Sequence, residues 1–474
     1  MSINEEFGKN IFILCKRNIH KIIGILCIGL FLNNCAPSTV RTIQTENGIN
    51  SITSPETIVK TLRIQTTETK TQSITAITSN KPTVAITNFP LEIPRIIVAY
   101  SKNNGVYIIE SPDPPIMIKE DVIPDIILIS DDASKVVYRM YRRAIHAVDS
   151  DGKGEKILFT PQQIADLESL GRTTEDTSYN WKWIPDTHHL LFSTMNYNAS
   201  GGWAAFENLF QVDVDTNLVQ RIFTAGDGGE AWPSPDAQKI AITHNDTIFL
   251  SSINGNVLFQ DIINIGNLPH WSVDIVWSVD SSLFKLIVPS KYYDRSRHNS
   301  KEPISAEIWM VDALSGIALL QNKIDNFGYG ILSPKLDSIG FTRPGKDLST
   351  DETYISSIDG SFIIKLATGP SGVISFSPDG RHFAYYLGTL PENHIPCFGN
   401  SAKTEIIVGS LGGEVIPIPG KIDPLLFRWV NNSQFIFVSG QTLQLGDIGG
   451  YLKTIDTSTT CISQFAVKDL DLQG

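Results

Sequence analysis

The sequence predicts an all-β protein: a β-propeller of four-stranded blades, eight by preference and seven as the runner-up. Three observations point there. A Ser-Pro-Asp-Gly-like turn marker recurs about every 44 to 55 residues between positions 129 and 429, a period that belongs to repeat architectures. Each repeat reads as four short strands; AWPSPDAQKIAITHNDTIFLSSINGNVLF (231–259) gives strand, Ser-Pro-Asp turn, two further strands, an Asn-Gly turn and a last strand. The inner strands are unbroken apolar runs such as KLIV, IAIT and FAYY, as expected of small sheets packed on both faces around an axis.

Taken in chain order, the first element is a basic run, KRNIHK, followed by the apolar run IIGILCIGLFL. Its length of about eleven residues is short for a spanning helix and suits the apolar core of a secretory signal. Leu32-Asn33-Asn34-Cys35 follows and resembles the bacterial lipobox, with Asn34 standing where Gly or Ala is usual. That resemblance implies a signal peptide over 1–34, lipidation of Cys35, and a chain anchored on the extracytoplasmic side of a bacterial envelope. Residues 35–93 are rich in Thr and Ser and almost free of aromatic residues, so they cannot bury enough apolar surface to offset ordering and are expected to form a disordered tether. The propeller is assigned to 94–474.

Within it the marker appears as ISDD near 129, WIPD near 183, PSPD near 233, WSVD near 277, LSPK near 332, FSPDG at 376–380 and WVNN near 429. Seven complete units span roughly 126–457. Before them RIIVAYSKNNGVYIIESPDPPIMIK (95–119) supplies three strands without a first, and after them CISQFAVKDL (461–470) supplies one strand without companions. Joining the two ends makes an eighth blade and covers both exposed edges. The repeats resemble the WD40-like repeats of TolB-type propellers, whose hallmark is Ser-Pro-Asp-Gly before an apolar strand: Ser377 to Gly380 matches in full, Ser234-Pro235-Asp236 nearly, Ser333-Pro334 in part. Fold is what that resemblance implies; related propellers act as scaffolds, gates and enzymes.

The net charge is −12, and −14 once residues 1–34, with four basic and two acidic side chains, are removed. Such a chain repels nucleic acid and anionic headgroups, so no nucleic-acid partner is expected. Composition is otherwise that of a globular protein, 42% hydrophobic and 19% charged. Of five cysteines, Cys15 and Cys27 lie in the signal segment and Cys35 is the lipid site, which leaves Cys397 and Cys461 as a possible disulfide or as two free thiols.

With strands named a to d, the a-b and c-d turns share one face and the b-c and d-a connections share the other. The first set reads as uniformly short; the second holds nearly every insertion, including 195–208, 289–305, 342–352 and 387–403. Long loops on a rigid scaffold concentrate binding residues. The contact candidates there are Tyr197, Trp203, Tyr292, Tyr293, Arg295, Arg297, His298, Arg343 and His394, since aromatic and Arg side chains dominate binding hot spots. Each could equally pack its own loop.

No GxSxG, HExxH, P-loop or CxxC pattern occurs. DSDGKGEK (149–156) and DVDTN (213–217) hold oxygen ligands, but both read as c-d turns. Neither a metal nor a cofactor is expected. The leading expectation is a monomeric, non-enzymatic binding or scaffold propeller that meets an envelope protein or a glycan on its b-c/d-a face. The alternative is a carbohydrate-active enzyme, a lyase or glycoside hydrolase, whose two carboxylates would have to face each other across that face; Asp294, Glu302, Asp347, Asp351, Glu352 and Glu392 lie in suitable loops.

Overall fold

The computed structural model describes residues 95–474 apart from 141–143, 169–177, 197–204, 245, 267, 269–272, 292–303, 390–403, 414, 421, 459–461, 463–464 and 470–474. Its strands form eight four-stranded sheets, every pairing antiparallel between neighbours. Blades 2 to 8 are consecutive meanders over 124–159, 178–221, 230–264, 274–324, 330–368, 371–418 and 422–457. Blade 1 is composite: Ile96–Lys102, Gly105–Glu110 and Ile116–Glu120 supply its outer three strands, and Phe465–Asp469 pairs with Ile96–Lys102 as the innermost. The closed eight-bladed ring expected from the two incomplete repeats is therefore the fold.

Eight clusters of buried side chains hold the ring, one between each pair of consecutive blades. Between blades 1 and 2, Ile97 and Ala99 pack with Ile127 and Val136; between 8 and 1, Ile436 and Val438 meet Ile96 and Val98. Alternate residues of one strand thus serve opposite interfaces, as the two-residue period of a strand requires. Val137 joins the cluster shared with blade 3 while Val136 and Tyr138 join the one shared with blade 1. The interface of blades 2 and 3 is aromatic: Phe192 stacks on Trp181 at 4.7 Å, Phe159 at 4.9 Å and Phe210 at 5.3 Å between centroids. Each such pair adds about 1 kcal/mol to the burial of its area.

The repeated turn has a physical basis. In four blades the Ser hydroxyl donates to the Asp two residues on, at 2.6 Å from Ser130 to Asp132, 2.5 Å from Ser234 to Asp236, 2.6 Å from Ser278 to Asp280 and 2.7 Å from Ser377 to Asp379. The same hydroxyl accepts the amide five residues on, Lys135, Lys239, Leu283 and His382 respectively. Where Lys335 replaces the Asp, Asp337 takes over and accepts from Ser333 at 2.9 Å. The fourth turn residue is left-handed: Ala133, Ala237, Ser281, Leu336 and Gly380 have φ of 57°, 55°, 57°, 59° and 68°. The marker is structural.

Connection lengths are one-sided. Every a-b turn between the bounded strands of blades 2 to 7 is five residues, as in 234–238 and 377–381, whereas the b-c connections of blades 5 and 7 run from Pro289 to Ala306 and from Leu387 to Glu405. The d-a crossover from blade 2 to blade 3 begins with the helix α1 (Pro161–Glu168), capped reciprocally by Thr160 and Gln163: the Thr160 amide donates to the Gln163 side chain at 2.7 Å, and the Gln163 amide to the Thr160 hydroxyl at 3.3 Å. No helix among the described residues is long and apolar enough to cross a membrane.

Candidate functional site

The first strand of each blade is innermost, so solvent reaches it along the axis. The exposure pattern shows which side chains of these strands reach solvent, although Leu128, Trp232, Val276 and Ile331 also pack against the cluster shared with the following blade. None of the penultimate residues of the eight first strands is buried: Lys468, Leu128, Lys182, Trp232, Val276, Ile331 and Ser375 are half-buried, and Arg428 is exposed. Most residues just before them, among them Ile127, Trp181, Ala231, Ile275 and Phe427, are buried between blades. One level of the channel therefore holds three cations, Lys468, Lys182 and Arg428, among apolar neighbours.

Two residues nearer the b-c/d-a face, on the same side of their strands, stand Glu230 in blade 4, Asp274 in blade 5 and Tyr329 just before the first strand of blade 6. Lys182 crosses from blade 3 to meet them: its Nζ is 3.8 Å from Oε1 of Glu230 and 4.0 Å from the centroid of the Trp232 ring. Asp274 continues the line, accepting the Leu332 amide of blade 6 at 3.4 Å. Trp232 is fixed in turn by its carbonyl, which accepts from the Trp277 indole at 3.0 Å. Charges thus pass from blade to blade at the mouth of the channel.

Enclosure sets their titration. Glu230 is 8% exposed, and burial, reinforced by the Asp274 charge, raises its pKa against the pull of Lys182. Burial lowers the pKa of Lys182 in spite of both carboxylates, and raises that of Asp274. Tyr329 keeps 59% of its surface exposed, yet its hydroxyl is pushed up to about 12, first by burial and then by Asp274 and Tyr386. Oε2 of Glu230 has no hydrogen-bond partner. The mouth therefore gathers a Lys, a Glu and an Asp, one carboxylate oxygen of Glu230 being buried and, among the described residues, without a hydrogen-bond partner, near an indole and a phenol.

Of the contact residues expected from sequence, Arg343 is described. It ends the second strand of blade 6, its guanidinium 4.9 Å from the Tyr354 ring centroid and 5.4 Å from that of Phe341. Tyr197, Trp203, Tyr292, Tyr293, Arg295, Arg297, His298 and His394 lie outside the described residues, as do Cys35, Cys397 and Cys461. The acidic candidates Asp294, Glu302 and Glu392 do too. Asp347 caps a short 3-10 helix (Leu348–Thr350), Asp351 accepts the Gly345 amide at 2.8 Å, and Glu352 binds Lys365 and Tyr354, so these three are engaged within their own loop and blade. Lys182, Glu230, Asp274 and Arg428 were not singled out from the sequence. A signal for them exists: NWKW, EAWP, DIVW and LFRW each set a charge inside the short apolar strand that precedes a turn marker.

The two c-d turns with calcium-like composition are backbone devices. Asp213 accepts the amides of Asp215 and Thr216 at 2.8 and 3.2 Å, and Asp151 is paired with Lys153 at 2.9 Å.

No protein-family model matches the chain, and no curated protein matches it. Solved structures resemble it at low identity. A eukaryotic initiation factor is 10% identical over 78% of this chain and 98% of its own, with a TM-score of 0.45. An oligogalacturonate lyase from Vibrio parahaemolyticus is 12% identical over 61% and 87%, with a TM-score of 0.40. TolB from Acinetobacter baumannii is 17% identical over 58% and 64%, with a TM-score of 0.32. The eight-sheet ring rests on the strand pairing and not on these likenesses.

Proposed function

We propose that the protein is a lipid-anchored, extracytoplasmic binding propeller that holds an envelope protein or a glycan on its b-c/d-a face. The one-sided distribution of long connections is the observation behind this reading: the a-b and c-d turns are trimmed to what a reversal needs, and the chain's surplus length lies opposite. The export-like amino terminus, the lipobox-like Cys35 and the Thr-rich tether fit a monomer held away from a bilayer. Tyr197, Trp203, Tyr292, Tyr293, Arg295, Arg297, Arg343 and His394 are the contact residues this reading assigns. The test is capture from solubilised envelope and from an immobilised glycan panel by the full chain, beside Trp203→Ala and Tyr292→Ala/Tyr293→Ala variants. Selective capture lost in the variants is expected; capture that survives them in full rejects this face.

A second reading, a carbohydrate-active enzyme, is favoured by one feature, the Glu230 and Asp274 carboxyls at the channel mouth, both raised by burial, where one would serve as acid and the other as base. Turnover of an envelope glycan that Glu230→Gln abolishes would support it, and turnover indifferent to both Glu230→Gln and Asp274→Asn would dismiss it.

A further inference from the structure

We infer that the axial channel holds an oxyanion, a carboxylate, sulfate or phosphate group, on the guanidinium of Arg428. This goes beyond the loop-face reading and does not depend on it, since the residue lies inside the ring.

Arg428 is the penultimate residue of the innermost strand of blade 8, and unlike the others at its level it is exposed to the channel. One nitrogen, Nη1, donates to the carbonyls of Leu425 at 3.0 Å and Phe427 at 2.7 Å, both in its own strand. Those bonds fix the direction of the fork. A ring from the next blade, Phe465, lies 5.9 Å from Cζ and gives the planar cation an aromatic neighbour. Nε and Nη2 remain as donors, and among the described residues no carboxylate pairs with this arginine.

The contrast with the other enclosed cations is what singles it out. Arg139 is bound bidentately by Asp125, at 2.6 and 3.1 Å; Lys468 is paired with Asp131; Lys182 reaches Glu230. Among the described residues each of these three cations has a carboxylate partner, and Arg428 has none. Burial pushes the Arg428 pKa down from its ordinary value with no carboxylate acting the other way, which marks a cation short of compensation. A guanidinium so placed, planar and with a fixed fork, matches the geometry of an oxyanion.

Position around the ring adds direction. In an eight-bladed ring blade 8 stands opposite blade 4, so by blade order the strand of Arg428 lies across the axis from that of Trp232 and Glu230, with Asp274 beside them in blade 5. Lys468, at the same level in adjoining blade 1, is the nearest cation by blade order. An anion in the channel is drawn to Arg428 rather than to Lys468, whose charge Asp131 already meets.

The experiment is calorimetric titration of the full chain with sodium sulfate, sodium phosphate and sodium acetate, ionic strength held constant with sodium chloride. Saturable binding of at least one is expected, weakened about tenfold or more in Arg428→Gln and unchanged in Lys335→Gln, in the a-b turn of blade 6. Preference for acetate assigns a carboxylate ligand; preference for sulfate or phosphate assigns a sulfated or phosphorylated one. In parallel the wild-type chain is treated with phenylglyoxal with and without the tightest of the three salts and read by mass spectrometry, so that nothing hangs on the variant folding. Slower modification of Arg428 than of Arg381 in the presence of the anion is the expected result. Absence of saturable binding by any of the three, an undiminished affinity in a folded Arg428→Gln, or unaltered modification of Arg428 would overturn the assignment.

Discussion

The ammonium of Lys182 in blade 3 lies 4.0 Å from the centroid of the Trp232 ring in blade 4, and the same group is 3.8 Å from Oε1 of Glu230. One side chain thus links two blades at the axis by charge and by an aromatic face, where the outer parts of the same interface use Leu191, Leu209 and Ile240. Glu230 is raised by burial, to about 7, so its ionised form is disfavoured by folding. A raised carboxyl contributes stability at pH below its unfolded value that is lost as pH climbs through the folded one. Lys182→Met removes the compensating cation, and should cost about 3 kcal/mol at pH 8 and less than half of that at pH 5, where Glu230 is protonated. Urea denaturation at the two pH values checks it, and equal losses would show that Lys182 does not compensate Glu230. The double variant Lys182→Met/Glu230→Leu should recover most of the loss.

A second blade-to-blade link gives a substitution whose cost varies with pH in the opposite direction. His188 in the a-b turn of blade 3 lies 2.7 Å from Asp215 of its own blade and 3.0 Å from Asp132 of blade 2. Burial alone would lower the histidine, but hydrogen bonds to Asp215 and Asp132 outweigh it and hold the pKa above the ordinary value. Its contribution is complete below the unfolded pKa and disappears as pH rises through the raised folded one. His188→Gln should therefore cost about 1 kcal/mol near pH 6 and almost nothing near pH 9. A loss independent of pH would mean that packing, not charge, is what His188 supplies.

How much of this was legible in the sequence follows from the physics of the repeat. The turn residues must meet local geometric demands, so Ser234, Asp236, Ser377 and Asp379 announce themselves, and with them the strand order and the composite closing blade. The helix α1 went unread although Thr160 and Gln163 form a capping pair visible as TPQQ. The axial charges were harder. Lys182, Glu230, Asp274 and Arg428 belong to four different blades, and their proximity to a common axis depends on ring closure, which no local pattern specifies. What could be read was the anomaly of a charge within each short inner strand; what could not was which of those charges would find a partner.

The turn geometry makes a paired prediction. Gly380 and Ala237 occupy equivalent left-handed positions, with φ of 68° and 55°. A Cβ at Gly380 would meet Lys335 Cβ at 3.4 Å, ordinary contact, so Gly380→Ala isolates the backbone term and should cost about 1 kcal/mol. Ala237→Gly should gain somewhat less than about 1 kcal/mol, because glycine's freedom in the unfolded chain opposes relief of strain. Thermal unfolding of both variants measures the pair, and shifts of the same sign would show that the five turns are not equivalent.

The closing strand sets the last prediction. Phe465 to Asp469 pairs residue by residue with Tyr100 to Ile96, and Phe465 and Ile462 are buried in the cluster between blades 8 and 1. Asp456 of blade 8 accepts from both Tyr100 and Lys102 on that second strand, so the seam is latched from the neighbouring blade as well. Phe465→Ala keeps the strand and loses its largest apolar contact, which should cost about 3 kcal/mol without changing the association state of the full chain. Deleting 461–474 does more: the edge of Ile96–Lys102, IIVAYSK, loses its partner, and an unpaired apolar edge recruits another chain. Sedimentation should show the deletion variant self-associating at concentrations where Phe465→Ala does not. A deletion variant that remained monomeric and as stable as the full chain would mean that the ring does not depend on its carboxy-terminal strand, and that blades 2 to 8 close on their own.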